Sequence, residues 1–585
     1  MKRIATAIVG VVLGALPALA QQVNVTEFTL ENGMKFLLYP RTEQPNIIAA
    51  GWVAKVGSVN ERPGITGISH FFEHMMFKGT NTIGTKDPAR DREFRAEQNV
   101  LRQRILDLTM KDQYRRFRAG EIDDPWDPAN DTDEMAKLRG ELKASMERQR
   151  AESIVKTEFD EVYTKLGASG MNAFTSEDVT FYFINVPSNK FELWAWMESD
   201  RLTDSVFREF FSERDVVHEE RRLRTESTPT GIFDEQFEAM FWQSSPYNWP
   251  VIGWTSDLNS YTMEQAQDYY DTYYQPSNLT GVVVGDFKIE EVKPIIERYF
   301  GRLSPGTKPV PPVATLEMPQ QAEQRMIAEC DCQPQVEVRY KAVPWNHADE
   351  AALEVLAGIL NGRSGRLYKN LIEGAQIASS AFAGVDSRKY GGAFSFAAET
   401  KGDAKPEMLE EAWYKEVERL QNEPVSEREL QKVKNQEAAN AFRRLQNNFF
   451  LLVQMGLFEA AGDWRYINEH PRAIQAVTAE DVKRVANTYF ARKNRSVAIY
   501  NRLQGLEPED PELLALGAEV GPQMKDMVKR QLEQLKQISD PARLQQIVGQ
   551  MESQKGQVPP QMAKAFDYML KKVKDRITEL EKGGN

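Results

Sequence analysis

The chain has 585 residues, 41% of them hydrophobic and 27% charged, with a formal net charge of −13. A chain this long divides into more than one core, and its acidic balance argues against a nucleic-acid backbone as partner, which calls for concentrated positive charge. Its two cysteines, Cys330 and Cys332 in "ECDCQPQ", are too few for a disulfide framework; a structural thiol pair or a strained disulfide is expected there rather than a metal site.

Residues 1–20 read as a secretory signal peptide. Met1-Lys2-Arg3 precedes an apolar run from Ile4 to Leu16, and Ala18-Leu19-Ala20 stands before Gln21. The run is too short to span a bilayer and no later segment is long enough, so the expectation is a protein without a membrane span, in the periplasm or alternatively secreted. No cysteine follows the cleavage site, which argues against a lipoprotein.

Next comes "SHFFEHMMFKGT" (69–80), with His70 and His74 four apart and Glu73 beside them. Four residues make about one helical turn, so both imidazoles can reach one ion from the same face. Two neutral imidazoles and a carboxylate suit zinc, with a fourth position left open. A pair at this spacing is more often a coincidence than a site. The order His-x-x-Glu-His, however, is the inverted form of the zinc-peptidase helix. A third ligand then comes from elsewhere, and "SERDVVHEERRL" (212–223) offers Glu213, Glu219 and Glu220. Glu213 and Glu220 are seven apart and share a helix face.

Between these motifs residues 85–158 are highly charged, with Phe94, Leu101, Ile105 and Leu108, then Met135, Leu138, Leu142 and Met146, at helical spacing. The breaker-rich "GEIDDPWDPANDTD" lies between the two runs. This predicts an inserted helical hairpin whose apolar stripe packs on the body or on a partner. Further along, "YTMEQAQDYYDTYYQPSNLTGVVVGD" (261–286) matches "VTAEDVKRVANTYFARKNRSVAIYNR" (477–502): Thr262 with Thr478, Glu264 with Glu480, Thr272 with Thr488, Tyr273 with Tyr489 and Asn278 with Asn494, all at one offset of 216 residues. Each copy reads as a threonine-capped helix, an Asn-containing turn and an apolar strand. The chain is therefore expected to hold a duplicated α/β domain. Its parts are an N-terminal half at 21–301, a Pro-rich linker at 302–323, a second half at 324–506 and a helical extension at 507–585, the last covering the same chain or binding another subunit.

"HFFEHMMFKGT", "MNAFTSEDVTFYF" (171–183), "SERDVVHEE", "SPYNWPVIGW" (245–254) and "YYQPSNLTGVVVGD", in this order, resemble the first half of the pitrilysin/insulinase family of inverzincin peptidases, which includes the mitochondrial processing peptidase. "LAGILNGRSGRLYKNLIEG" (356–374) resembles the start of that family's second half. The resemblance implies an α+β fold in which two homologous α/β sandwich halves form half of a clam-shell chamber, here with a helical insertion and a helical C-terminal extension. It implies one zinc ion per chain held by His70, His74 and Glu220, with Glu73 as general base and Glu213 supporting the ligands. Glu219 differs in register and is expected to face solvent. The 146 positions from His74 to Glu220 exceed the family's usual spacing, and the insertion accounts for the excess. The matching substrate strand is Asn172-Ala173-Phe174-Thr175.

Implied by the same resemblance is a zinc-dependent endopeptidase acting on peptides or unfolded segments. One feature is missing. Single-chain members carry an arginine and a tyrosine, seven apart, in the second half; those positions fall on Ile372 and Ser379, which cannot replace them. The expected active species is therefore a heterodimer, this chain bearing zinc and a homologous partner supplying the Arg/Tyr pair. The alternative is a non-catalytic structural or substrate-binding subunit of the same fold, which would go with a damaged metal motif; here all four residues are present.

Overall fold

The computed structural model describes residues 22–503, 510–536, 538, 540–559 and 562–582. The signal-like segment 1–20 lies outside them. No helix among the described residues is long and apolar enough to cross a membrane.

The architecture is α+β, built on two sheets with one topology. The first runs β1-β2-β6-β3-β5-β4, from β1 (Thr26–Thr29), β2 (Lys35–Pro40), β3 (Ile47–Ala54), β4 (Ser169–Thr175), β5 (Thr180–Pro187) and β6 (Leu279–Gly285). The second runs β7-β11-β8-β10-β9, from β7 (Gln324–Cys330), β8 (Gln335–Ala342), β9 (Ala378–Ser387), β10 (Gly392–Thr400) and β11 (Arg495–Arg502). The parallel pair β2/β6 answers to β7/β11, and the antiparallel series β6/β3/β5/β4 to β11/β8/β10/β9.

The helices that matter below are α1 (Ile68–Met75), α2 (Pro88–Leu108), α3 (Asp133–Glu152), α4 (Phe210–Arg221), α5 (Gly231–Phe241), α6 (Met263–Tyr273), α7 (Asn448–Ala461) and α8 (Ala479–Tyr489). The matched positions of the repeat do the same work in both halves. Thr262 caps α6 and Thr478 caps α8. The Asn278 amide donates to the Tyr273 carbonyl (2.9 Å), and the Asn494 amide to the Tyr489 carbonyl (2.8 Å), so each turn is tied to its own helix end.

The central strands are apolar on both faces, which requires cover on both sides. In β6, Val283 faces the core beneath α1, while Val282 and Val284 face a second core with Phe181. Leu451, Leu452 and Met455 of α7, a helix from the other half, fill that second core. The exchange is reciprocal. In β11, Val497 and Ile499 face the second half's own core, whereas Ala498 and Tyr500 meet Phe237 of α5, from the first half. Each Val, Leu, Ile, Met or Phe among them gains roughly 1.5–3 kcal/mol from full burial, so neither sheet is covered without the other half.

The charged insertion forms the expected hairpin of α2 and α3. Phe94, Ile105, Met135, Leu138 and Leu142 are buried, and all but Phe94 join the first core, so its stripe packs on the body. The linker is pinned: Glu317 accepts from the backbone amides of Gln243, Ser244 and Ser245 and pairs with Lys341. Helices α9 (Pro511–Val520), α10 (Pro522–Lys536), α11 (Pro541–Gln554) and α12 (Ala563–Lys582) form the extension. Helices α9, α10 and α12 share a small core that includes Leu513, Val528 and Tyr568, α11 packs on α12, and α9 lies against β9. Cys330 and Cys332 form a disulfide, Cα–Cα 5.2 Å, buried beneath α5.

Candidate metal centre

Helix α1 starts where it does because of Gly67. Its φ is +85°, and a Cβ there would stand 2.4 Å from the Ile252 carbonyl oxygen, so only glycine fits. Glu61 then accepts from the backbone amides of Gly67 (2.7 Å) and Ser69 (2.8 Å), meeting the donors a helix N-terminus leaves unpaired. Phe71 packs edge-on against Phe210 (4.8 Å) and so seats α1 on α4.

The two helices bring three ligand atoms together. Glu220 Oε2 lies 3.3 Å from His74 Nε2 and 3.7 Å from His70 Nε2. Among the described residues His70, His74 and Glu220 form the one group of such side chains whose ligand atoms all lie within 4.8 Å. A tetrahedral ion with bonds of about 2.1 Å spaces its ligand atoms about 3.4 Å apart, so the spacing fits zinc. The donor set, two imidazoles and a carboxylate, also fits.

Around these atoms the charges are ordered. His74 Nδ1 donates to Glu213 Oε1 (3.0 Å), which leaves Nε2 toward Glu220. Lys78 holds the other oxygen of Glu213 at 2.5 Å. Burial works against charge on His74, but its hydrogen bonds to Glu213 and Glu220 outweigh burial and lift it to about 9. His70 is pushed down to about 4, first by burial and then by the charge on His74. A cation that binds through His74 Nε2 therefore has to displace the proton that this nitrogen shares with Glu220.

Glu73 sits on the same helix, and its Oε2 accepts from Thr175 Oγ1 (2.7 Å). Burial raises its carboxyl, and the Thr175 hydroxyl works the other way. Thr175 ends β4, the outer strand of the first sheet. Along β4, Asn172 is exposed, Ala173 joins the core beneath α1, and Phe174 packs against Phe181 and Phe183. Glu219 is exposed and pairs with Arg222. Ile372 packs against the second half's core, and Ser379, in β9, donates to the Thr400 carbonyl (3.1 Å). Two neighbours of the centre had no signal of their own in the sequence: Lys78, and Arg224, which holds Glu220 Oε1 at 2.7 Å.

The family described as Insulinase (Peptidase family M16) matches residues 37–90, and that described as Peptidase M16 inactive domain matches residues 260–437. The zinc protease PqqE of Helicobacter pylori is 26% identical over 471 residues, 79% of this chain and 89% of that protein. The crystal structure of a protease from Helicobacter pylori superposes with a TM-score of 0.67 at 23% identity, covering 82% of this chain and all of that one. The periplasmic protease PqqL from Escherichia coli superposes at 0.59 and 16% identity, over 84% of this chain and 50% of that one. At those identities the two superpositions speak for the fold alone. Fold, family matches and relatives agree on one family: the chain carries two segments that match peptidase family M16, the pitrilysin/insulinase family, on the fold of its members.

Proposed function

We propose that this chain is a zinc-dependent endopeptidase of the periplasm and the catalytic subunit of a heterodimer. The observation that carries the reading is the convergence of His70, His74 and Glu220, with Glu73 beside them and joined to β4 through Thr175. The relative named a zinc protease supports the metal and the activity. The signal-like segment 1–20 and the likeness to a periplasmic protease support the address.

In this reading His70, His74 and Glu220 hold the ion, and Glu213 orients His74. A bound zinc ion makes water more acidic and polarises a carbonyl. Glu73 takes a proton from the attacking water and later delivers it to the leaving amine. The raised carboxyl of Glu73 suits that exchange, since a group that both accepts and returns a proton works best with a pKa near the working pH. A peptide adds as a further strand along β4 at Asn172–Thr175, held by main-chain hydrogen bonds, so that sequence matters less than an extended backbone. With Ile372 and Ser379 turned to packing and to a strand carbonyl, donors for the developing oxyanion come from a homologous partner chain.

The test is cleavage of a quenched peptide mixture by residues 21–585, zinc-loaded, with Glu73→Gln as the blank. Cleavage lost in the blank while zinc stays bound supports Glu73 as base; an unchanged rate removes it from the mechanism. Full activity of the chain alone would count against the heterodimer.

A further inference from the structure

We propose that Glu209 is a positioning residue for the metal centre, the joint through which the charged insertion holds α4 in register with α1. The proposal rests on the metal reading above. Glu209 immediately precedes α4, the helix of Glu213 and Glu220, and has a φ of +58°. A side-chain-bearing residue holds that left-handed conformation only where its surroundings impose it, and such residues gather at functional sites.

Here the surroundings are ion pairs on two sides. Arg150, on α3 of the insertion, donates from Nε to Glu209 Oε1 at 2.9 Å. Lys78, in the turn that follows α1, stands 3.7 Å from Glu209 Oε2. The same Lys78 ammonium holds Glu213, and Glu213 holds His74. A continuous line of charge therefore runs from Arg150 through Glu209, Lys78 and Glu213 to the imidazole.

The preceding residue makes the same connection by a separate route. Arg208 is fully buried and donates to the carbonyls of Lys78 (2.6 Å), Thr80 (2.8 Å) and Ile83 (3.2 Å), fixing the chain that leaves α1. Its countercharge is Asp91 of α2, 3.3 Å from Nε and itself held by Gln149 of α3 at 2.9 Å. Two successive residues thus tie the start of α4 to the insertion on one side and to the end of α1 on the other. The ligands on the two helices must stay within a few tenths of an ångström of their spacing to share an ion, and these ties hold the spacing.

Zinc titration of the full chain against a chromogenic chelator tests this. Loss of a direct partner of a ligand imidazole typically costs 10–100-fold in metal affinity; Glu209 acts one link further out. Arg150→Met and Glu209→Gln are each expected to weaken zinc about three- to tenfold. The double variant should be no weaker than the stronger single one, because both break one line. Arg150→Lys should restore most of the affinity. Arg148→Met, on the same helix but paired with Glu97 inside the insertion at 2.7 Å, should bind as the unaltered chain does. Glu209→Gly removes the carboxylate without asking for a strained backbone, so a loss of affinity in it cannot be charged to misfolding of the turn. Unaltered affinity in Arg150→Met and Glu209→Gln would overturn the proposal and leave the metal reading intact. No zinc binding by the unaltered chain would overturn both.

Discussion

Replacing Glu213 separates an electrostatic role from a structural one. Its two oxygens are divided, Oε1 accepting from His74 Nδ1 at 3.0 Å and Oε2 pairing with Lys78 at 2.5 Å. Glu213→Ala removes both contacts. For the imidazole this is the loss of an outer partner, about 10–100-fold in zinc affinity, or about 1.4–2.7 kcal/mol. Glu213→Gln keeps an acceptor but not the charge, and since a charge-assisted hydrogen bond is about twice as strong as a neutral one, its effect should fall near the lower end. Either change also leaves Lys78 without its nearest carboxylate and with only the more distant Glu209, and a half-buried charge so weakly paired destabilises in its own right. Adding Lys78→Met divides the two effects. If the loss runs through His74, the double variant recovers thermal stability while zinc affinity stays low. The assay is zinc titration against a competing chelator, with thermal unfolding on the same samples. Wild-type affinity in Glu213→Ala would refute the reasoning.

Other outcomes follow from the same structure. Residues 22–301 expressed alone should aggregate or bind a hydrophobic dye, because Phe181, Val282 and Val284 lose the cover of α7; a soluble, dye-negative fragment would show that face closing by itself. Met455→Ala on α7 and Phe237→Ala on α5, both fully buried, should each cost about 2–5 kcal/mol and lower one shared transition for both halves, read by calorimetry. Gly67→Ala should destabilise α1 and weaken zinc together, since the added methyl meets the Ile252 carbonyl. His470 Nε2 lies 2.7 Å from Glu354, and although burial opposes its charge this hydrogen bond lifts its pKa above the ordinary histidine value. The pair's contribution is therefore present in full below about pH 6.5 and is lost as pH rises through the lifted value. Denaturant unfolding should show a fall in stability across that window that is smaller in His470→Gln, His74 supplying the remainder.

The candidate ligands were legible in part because their spacing is local, and in part only through the family resemblance, which picked Glu220 over Glu213 and Glu219. His70, Glu73 and His74 sit within one turn and a half of helix, and Glu213 with Glu220 on another, so spacing alone fixed which side chains share a face. The supporting charges were not. Lys78 stands inside a quoted segment and Arg224 just past the end of another, yet a lysine and an arginine on charged stretches look like any solvated pair until the fold brings Glu213 to 2.5 Å from one and Glu220 to 2.7 Å from the other. Glu209 was hidden more deeply. A glutamate carries no sign of a left-handed backbone, whereas the glycine of "GISH" does.

The duplication was legible for a similar reason, and its consequence was not. Thr262 with Thr478 and Asn278 with Asn494 are capping and turn residues, whose work is local and therefore repeats at a fixed offset. The apolar strands "GVVVGD" and "SVAIYN" did announce that both faces of each sheet are covered. What covers the far face is a long-range fact: α7 lies about 170 residues from the strand it protects, and no periodicity links "FFLLVQMGLFEAA" to "VVV". Because the cover is exchanged, a boundary drawn through the linker at 302–323 divides the chain by ancestry but not by stability. The candidate metal ligands inherit that coupling. α5 follows α4 through residues 222–230, which open with a π-helical stretch at Arg222–Glu226, and reaches across to β7 and β11, so the second half braces the helix that carries Glu220 although it contributes no candidate ligand of its own.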